Sequence, residues 1–221
     1  TFDAASAPRH VRDTVRVAAM TADDLRVAAS MRDTVEIRVV ELVPDQVVTR
    51  ATIVEGTVRD GIIVADPVKD LAKLAVIERH RSTGALGIGF VRGFGLKRGA
   101  FAATVAHDAH NVVVAGVNDA DMIAAVIRLG ELGGGLVVTC DGVVVEEMAL
   151  PIAGLMSDLP AEEVDAALIR LEQELAGLGV TIGTPFMYLG FLALSVIPEL
   201  RVTDQGVVDV PAFRLVPLIL P

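Results

Sequence analysis

The chain has 221 residues, 52% of them hydrophobic, with a mean hydropathy of +0.57. It can therefore bury one large domain, or one domain plus a smaller module, and it is too apolar for a disordered chain. The net charge of −10 and the lack of any Lys/Arg run exclude nucleic acid, because phosphate binding needs clustered cations.

From the N-terminus, Thr1-Phe-Asp-Ala-Ala-Ser6 has no basic region followed by an apolar run, so no secretory signal is expected. Thr21-Ala-Asp-Asp24 has the form of an N-cap with acid in the first turn and predicts one short helical turn. Val35-Glu-Ile-Arg-Val39 alternates apolar and charged residues, as a half-buried strand does. Pro44-Asp45 breaks it, residues 47–54 give a second strand, and Asp60-Gly61 is a hairpin turn before a third strand over residues 62–65. Three strands alone are marginal. A composition shift at Ala65-Asp66-Pro67 divides the chain into a leader with a partial β module (1–65) and a larger domain (66–221).

Beyond it, residues 71–80, 85–92, 100–106 and 112–116 read as strands, the first also fitting a helical spacing. Asn118-Asp-Ala-Asp121 caps a helix that runs to Leu132 and ends at Gly133-Gly-Gly135. Residues 136–140 and 143–148 flank Asp141-Gly142, the clearest hairpin signal of the chain. Cys140, the only cysteine, falls in that apolar strand, which predicts a buried structural thiol and leaves no disulfide or multi-cysteine zinc site. A helix opens at Asp158-Leu-Pro-Ala-Glu-Glu163, with an apolar stripe of Val164, Leu168, Leu171, Leu175 and Leu178, and stops at Gly177 and Gly179. Thr184-Pro185 opens a second, nearly all-apolar helical stretch expected to be buried and to end at Pro198. The longest apolar stretch, residues 186–198, is too short to span a bilayer, which takes roughly 20 residues. No membrane partner and a cytoplasmic location are expected. Residues 200–210 hold one or two last strands around Asp204-Gln-Gly206. Hairpin links mixed with helices predict an α+β fold: a mixed, largely antiparallel sheet with packed helices, preceded by a small incomplete β module.

The glycines from Gly84 to Gly99 do not form a nucleotide loop. The dinucleotide spacing would need glycine at Arg92 or Arg98, and no Gly-Lys-Ser/Thr follows. Glycines inside apolar strands instead mark bulges or a close backbone approach. The sharpest polar cluster is His107-Asp108-Ala-His110-Asn111, between two apolar runs. As a site loop, His107 or His110 would carry a proton or donate to substrate while Asp108 orients an imidazole. As a plain turn, Asp108 and Asn111 would bond to backbone. His-x-x-His with one acid is not a recognised zinc spacing. Glu78-Arg-His-Arg81 is a second cluster, for which a solvated loop with local ion pairs is the simpler reading.

Val76-Ile-Glu-Arg-His80, Gly87-Ile-Gly-Phe-Val-Arg-Gly-Phe-Gly-Leu-Lys-Arg-Gly-Ala100 and Val105-Ala-His-Asp-Ala-His-Asn111 resemble the C-terminal domain of microbial adenine deaminases. So do Gly133-Gly-Gly-Leu-Val-Val138, Leu150-Pro-Ile-Ala-Gly-Leu-Met-Ser-Asp158, Thr184-Pro-Phe-Met187 and Phe191-Leu-Ala-Leu-Ser-Val-Ile-Pro-Glu-Leu200. The runs occur in order across most of residues 66–215.

The resemblance implies an amidohydrolase-superfamily enzyme converting adenine and water to hypoxanthine and ammonia. Manganese or iron would sit in a (β/α)₈ barrel and activate the water. That barrel's His-x-His pair is missing from this sequence, so no metal is expected in this chain and the chain is expected to be inactive alone. His107, Asp108, His110 and Asn111 become a candidate site loop near the barrel mouth. Glu78, Arg79 and His80 become candidates for substrate or interdomain contact. The strands of residues 35–65 would be half of a small β domain, leaving an apolar face open to the missing barrel part or to a second copy in a homo-oligomer. A non-catalytic scaffold or oligomerisation domain is the alternative.

Overall fold

The computed structural model describes residues 8–29 and 34–221. The N-terminal hexapeptide named above lies outside the described residues. Thirteen strands and three α-helices are found among the described residues. In chain order they are β1 (Val27–Ala28), β2 (Thr34–Leu42), β3 (Thr49–Arg59), β4 (Ile62–Val64), β5 (Leu71–Ile77), β6 (Leu86–Arg92), β7 (Ala100–Ala103), β8 (Val112–Gly116), α1 (Asp119–Leu132), β9 (Gly135–Cys140), β10 (Val143–Ala149), α2 (Ala161–Gly177), α3 (Pro185–Phe191), β11 (Leu200–Thr203), β12 (Gly206–Asp209) and β13 (Arg214–Val216).

Ten strands form one sheet in the order β1-β4-β3-β2-β6-β5-β8-β7-β9-β10, and β11-β12-β13 form a second. Every pairing is antiparallel except that of β2 with β6. This is the expected mixed, largely antiparallel α+β architecture.

The central strands β5, β7, β8 and β9 are buried along their whole length. A strand covered on both faces reads as a continuous apolar run, which is why β5 was ambiguous between strand and helix. Alternate residues separate into two cores. Leu74, Val76, Phe101 and Val113 face α2, α3 and the small sheet, whereas Ala75, Ile77, Ala102 and Val114 face α1. The exception on the α1 side is Lys73, 2% exposed, whose ammonium meets Asp119 Oδ1 at 2.5 Å and Leu25 O at 2.8 Å.

The local stops follow the sequence. Asn118 caps α1 by accepting from the Asp121 amide, and Gly133 ends it at φ 72. Asp141 and Gly142 both take positive φ between β9 and β10. Thr21 and Asp24 form a capping box on a 3₁₀ turn, Ala22–Leu25.

Some expectations are corrected. The last helix stops at Phe191, not Pro198, and Met187 on it is 56% exposed. Its residues are apolar all round, but only part of that circumference finds a neighbour. The strand expected over residues 100–106 ends at Ala103, where the chain turns into the polar loop. β13 was not foreseen. The open apolar face of the β module is closed within the chain. Ile37, Val39 and Ile63 are fully buried with Leu71 and Phe90. Residues 217–221 lie along β2 through Arg38 N–H to Leu218 O and Leu220 N–H to Glu36 O, both 2.9 Å. Through β2 and β6 the sheet runs on across residues 65–66. No helix among the described residues is long and apolar enough to cross a membrane.

The small sheet lies directly on β5 and β6. Gly87 and Gly89 permit this. A Cβ on Gly87 would overlap Thr203 O and come within 2.6 Å of Gly206 N, and one on Gly89 would lie 2.6 Å from Val202 Cγ2. Gly87→Ala is therefore expected to cost about 2 kcal/mol or more by overpacking, whereas Gly183→Ala, with open space around it, leaves the urea midpoint nearly unchanged.

Candidate functional site

β7 delivers its chain to a loop, residues 104–111, that returns into β8, and the end of β5 lies beneath it. Arg79 is 1% exposed and meets no carboxylate among the described residues. Its Nε–H donates to His110 O, and Nη2–H donates to Thr104 O at 3.4 Å and to Ala153 O at 3.1 Å. Nη1 has no partner. Burial lowers the pKa of this guanidinium, which nonetheless stays charged.

Thr104 adds to the same anchor. Its hydroxyl donates to Gly154 O at 2.7 Å and accepts from the Gly135 amide at 2.8 Å. The neighbouring His80 is exposed, with Nε2 2.7 Å from Ala109 O, a separation that calls for a proton on Nε2. So Arg79 and His80 join the loop of His107–Asn111, as two separate stretches of sequence.

Glu78 does not join it. Its carboxylate accepts from the amides of His80, Arg81 and Thr83 and from the Thr83 hydroxyl, closing the 80–83 turn. Partial burial pushes its pKa up, but these donors outweigh it and bring the value down to about 2.

Within the loop, His107 donates its amide to Gly190 O at 3.2 Å and stacks its ring on Phe191, centroids 4.6 Å apart and 4° from parallel. His110 donates its amide to Ala106 O at 2.7 Å and holds φ at 49°, a left-handed conformation that costs a non-glycine residue about 1 kcal/mol. Its carbonyl is thereby aimed at Arg79. The Nδ1 atoms of His107 and His110 are both buried without a partner among the described residues. Burial, then the charge of Arg79, lowers the pKa of His110, so its imidazole stays neutral at pH 7.

The loop separates two cavities. His107 lines one of about 780 Å³, walled by Met148, Leu150, Leu168 and Phe186. Asp108 and Asn111 line the other, about 600 Å³, whose opposite wall comes from the small sheet through Asp204, Gln205 and Arg214, with Ser195 beside them. The sequence reading missed this second wall, because Asp204-Gln-Gly206 carries only a turn signal and the partners lie about a hundred residues apart. Asn111 is 4% exposed, and its side chain makes none of the backbone bonds that a plain turn would use.

The donor set does not fit a metal ion. The two imidazoles are 6.3 Å apart by centroid, and no three His, Cys, Asp or Glu side chains converge on one point among the described residues.

Two outcomes follow. Arg79→Met should cost about 2–4 kcal/mol, because it leaves one buried and two part-buried carbonyls without this donor, and Arg79→Lys should recover only part, lacking the planar fork. His110, with its folded pKa depressed, is protonated more readily in the unfolded chain. Stability is therefore lost as pH falls through the ordinary imidazole range near 6.5. Urea midpoints at pH 7.5 and 6.0 should fall for the wild type and fall less for His110→Gln.

Residues 46–214 match the family of adenine deaminase C-terminal domains. The chain is 52% identical over 206 residues to an adenine deaminase of Oleidesulfovibrio alaskensis, covering 93% of this chain and 36% of that protein. It is 48% identical over 213 residues to adenine deaminase 2 of Carboxydothermus hydrogenoformans, covering 96% and 37%. An adenine deaminase of Cereibacter sphaeroides is 46% identical over 206 residues, covering 93% and 36%. The chain thus spans little more than a third of the length of these curated relatives. Held over most of its length at such identity, the chain belongs to the adenine deaminase C-terminal domain family.

Proposed function

We propose that this chain is the C-terminal part of an adenine deaminase, in which adenine and water give hypoxanthine and ammonia. The catalytic barrel is its partner, and there manganese or iron would activate the water. The chain by itself is inactive. The observation that carries this reading is the match of 93% of the chain to 36% of a full adenine deaminase.

The role of the chain is to present the 104–111 loop to the barrel mouth. Its tip, Asp108 and Ala109, is exposed, while Arg79, Thr104 and Gly190 fix its base. A loop held this way can order a substrate without rearranging, which is where positioning gains its rate. Asp108 is the group available to accept a hydrogen bond from the exocyclic amine of adenine. The neutral His110 keeps a second positive charge away from Arg79.

The test is an adenine deaminase carrying this chain as its C-terminal part, supplied with manganese or iron. Asp108→Ala should lower kcat/KM for adenine roughly tenfold or more, and the 221-residue chain with the same metal should release no ammonia. Unchanged kcat and KM in Asp108→Ala and His107→Ala would remove the loop from the site. Turnover by the chain alone would refute the assignment of the chemistry to the barrel.

A further inference from the structure

The chain that precedes the sheet crosses over the Arg79 anchor. Residues 12–16 belong to neither helix nor strand, yet they and Val11 are tied on both sides. The Ala153 amide donates to Val11 O at 2.6 Å, and the Arg16 amide donates to Arg79 O at 2.7 Å. The Ser82 hydroxyl donates to Arg16 O at 3.0 Å, and Arg12 pairs with Asp158 at 3.1 Å. The segment is a strap from the 153–158 turn to the turn after β5.

Val15 is the one buried residue between Val11 and Arg16. It is 6% exposed but joins none of the three apolar cores. It fills a notch between two glycines instead. A Cβ on Gly154 would lie 2.9 Å from Val15 Cγ2 and 2.8 Å from Arg79 Nη1. One on Gly134 would lie 3.2 Å from Val15 Cγ2 and 3.1 Å from Thr104 Oγ1. A single methyl therefore borders both polar groups that fix the base of the 104–111 loop.

Nη1 is the edge of the guanidinium that no carbonyl occupies, and it is buried all the same. Ionic hydrogen bonds are stronger where the effective dielectric is low. Water admitted at Nη1 would screen the charge and slacken its bonds to His110 O, Thr104 O and Ala153 O.

We propose that Val15 is a positioning residue for the 104–111 loop: it seals the free edge of Arg79 and so holds the guanidinium on its three carbonyls. The effect on turnover rests on the deaminase reading, whereas the effect on the loop does not. A loop that is competent only part of the time binds with an affinity reduced by that fraction. Loss of the seal therefore raises KM and leaves kcat nearly unchanged.

His110 is the reporter within the chain. Burial, then the charge of Arg79, lowers its pKa, with His107 and His80 acting in the same direction and Asp108 against them. The experiment follows the His110 ring signals in an NMR pH titration of the 221-residue chain and reads exchange of the Arg79 Nε–H in the same samples. Because Val15 stands outside the cores, Val15→Ala stays folded. It should bring the His110 pKa up toward the ordinary imidazole value and speed Nε–H exchange about tenfold or more. Val15→Thr keeps the branched shape and should restore both readings. Val17→Ala lies two residues along the strap but against the α1 core; it controls for lost stability and should move neither. In the joined deaminase, Val15→Ala should raise KM for adenine about threefold or more, with kcat within about twofold.

The proposal is overturned by unchanged His110 titration and Nε–H exchange in Val15→Ala, or by equal shifts in Val17→Ala. Shifted His110 signals with an unchanged KM would uphold the seal and count against the role of the loop in deamination.

Discussion

A guanidinium buried without a carboxylate must be held by dipoles, and Arg79 is held by three backbone carbonyls drawn from two loops. Each carbonyl has to be brought to it by the chain that carries it. The left-handed turn at His110 and the close packing of Gly154 on the guanidinium are the local consequences. A side chain on Gly154 would crowd Nη1 at 2.8 Å. The shape of the 104–111 loop, and with it the separation of the two cavities, follows from this one buried cation.

The loop also depends on how its two sides are packed. On one side His107 lies flat on Phe191, so α3 sets the ring plane. On the other side the small sheet sits close enough to β5 and β6 to wall a groove, because Gly87 and Gly89 remove the side chains that would hold it away. Arg201 plays a comparable part at the far end of that sheet. Fully buried, it donates to Thr49 Oγ1 and to the carbonyls of Leu200, Val47 and Pro198, joining β11 to β3. Burial holds its pKa down at about 10. Two buried arginines that bond to carbonyls rather than acids fit a chain whose carboxylates are mostly at the surface, where desolvation costs least.

Residues 107–111 of the loop carry four polar side chains and present them differently. His107 and His110 are packing groups as much as chemical ones: one is stacked, the other is kept neutral by burial and by Arg79. The groups open to a ligand are Asp108 at the tip and Asn111 in the groove. Sequence pattern placed all four in one cluster, because residues within four positions of one another look alike until the backbone turns. The turn sends His107 to one cavity and Asp108 and Asn111 to the other.

Local chemistry by itself determined much of this protein. The hairpin at Asp141-Gly142, the cap at Asn118, the stop at Gly133 and the stripe of α2 are legible because each rests on interactions within a few residues. The family was legible too, from ordered motifs spread across most of the chain. Tertiary structure alone decided the rest. β5 is a strand because both its faces are covered, Ile37, Val39 and Ile63 are buried against Leu71 and Phe90 with Leu218 and Ile219 beside them, and α3 stops at Phe191 although the apolar run continues. Arg79 reads in sequence as one charge in a solvated run, yet it is buried, since its three acceptors come from positions 25 to 74 residues away. Asn111 meets Asp204 and Phe213 across one groove for the same reason. Contacts of that range are set by how layers pack, and no local pattern records them.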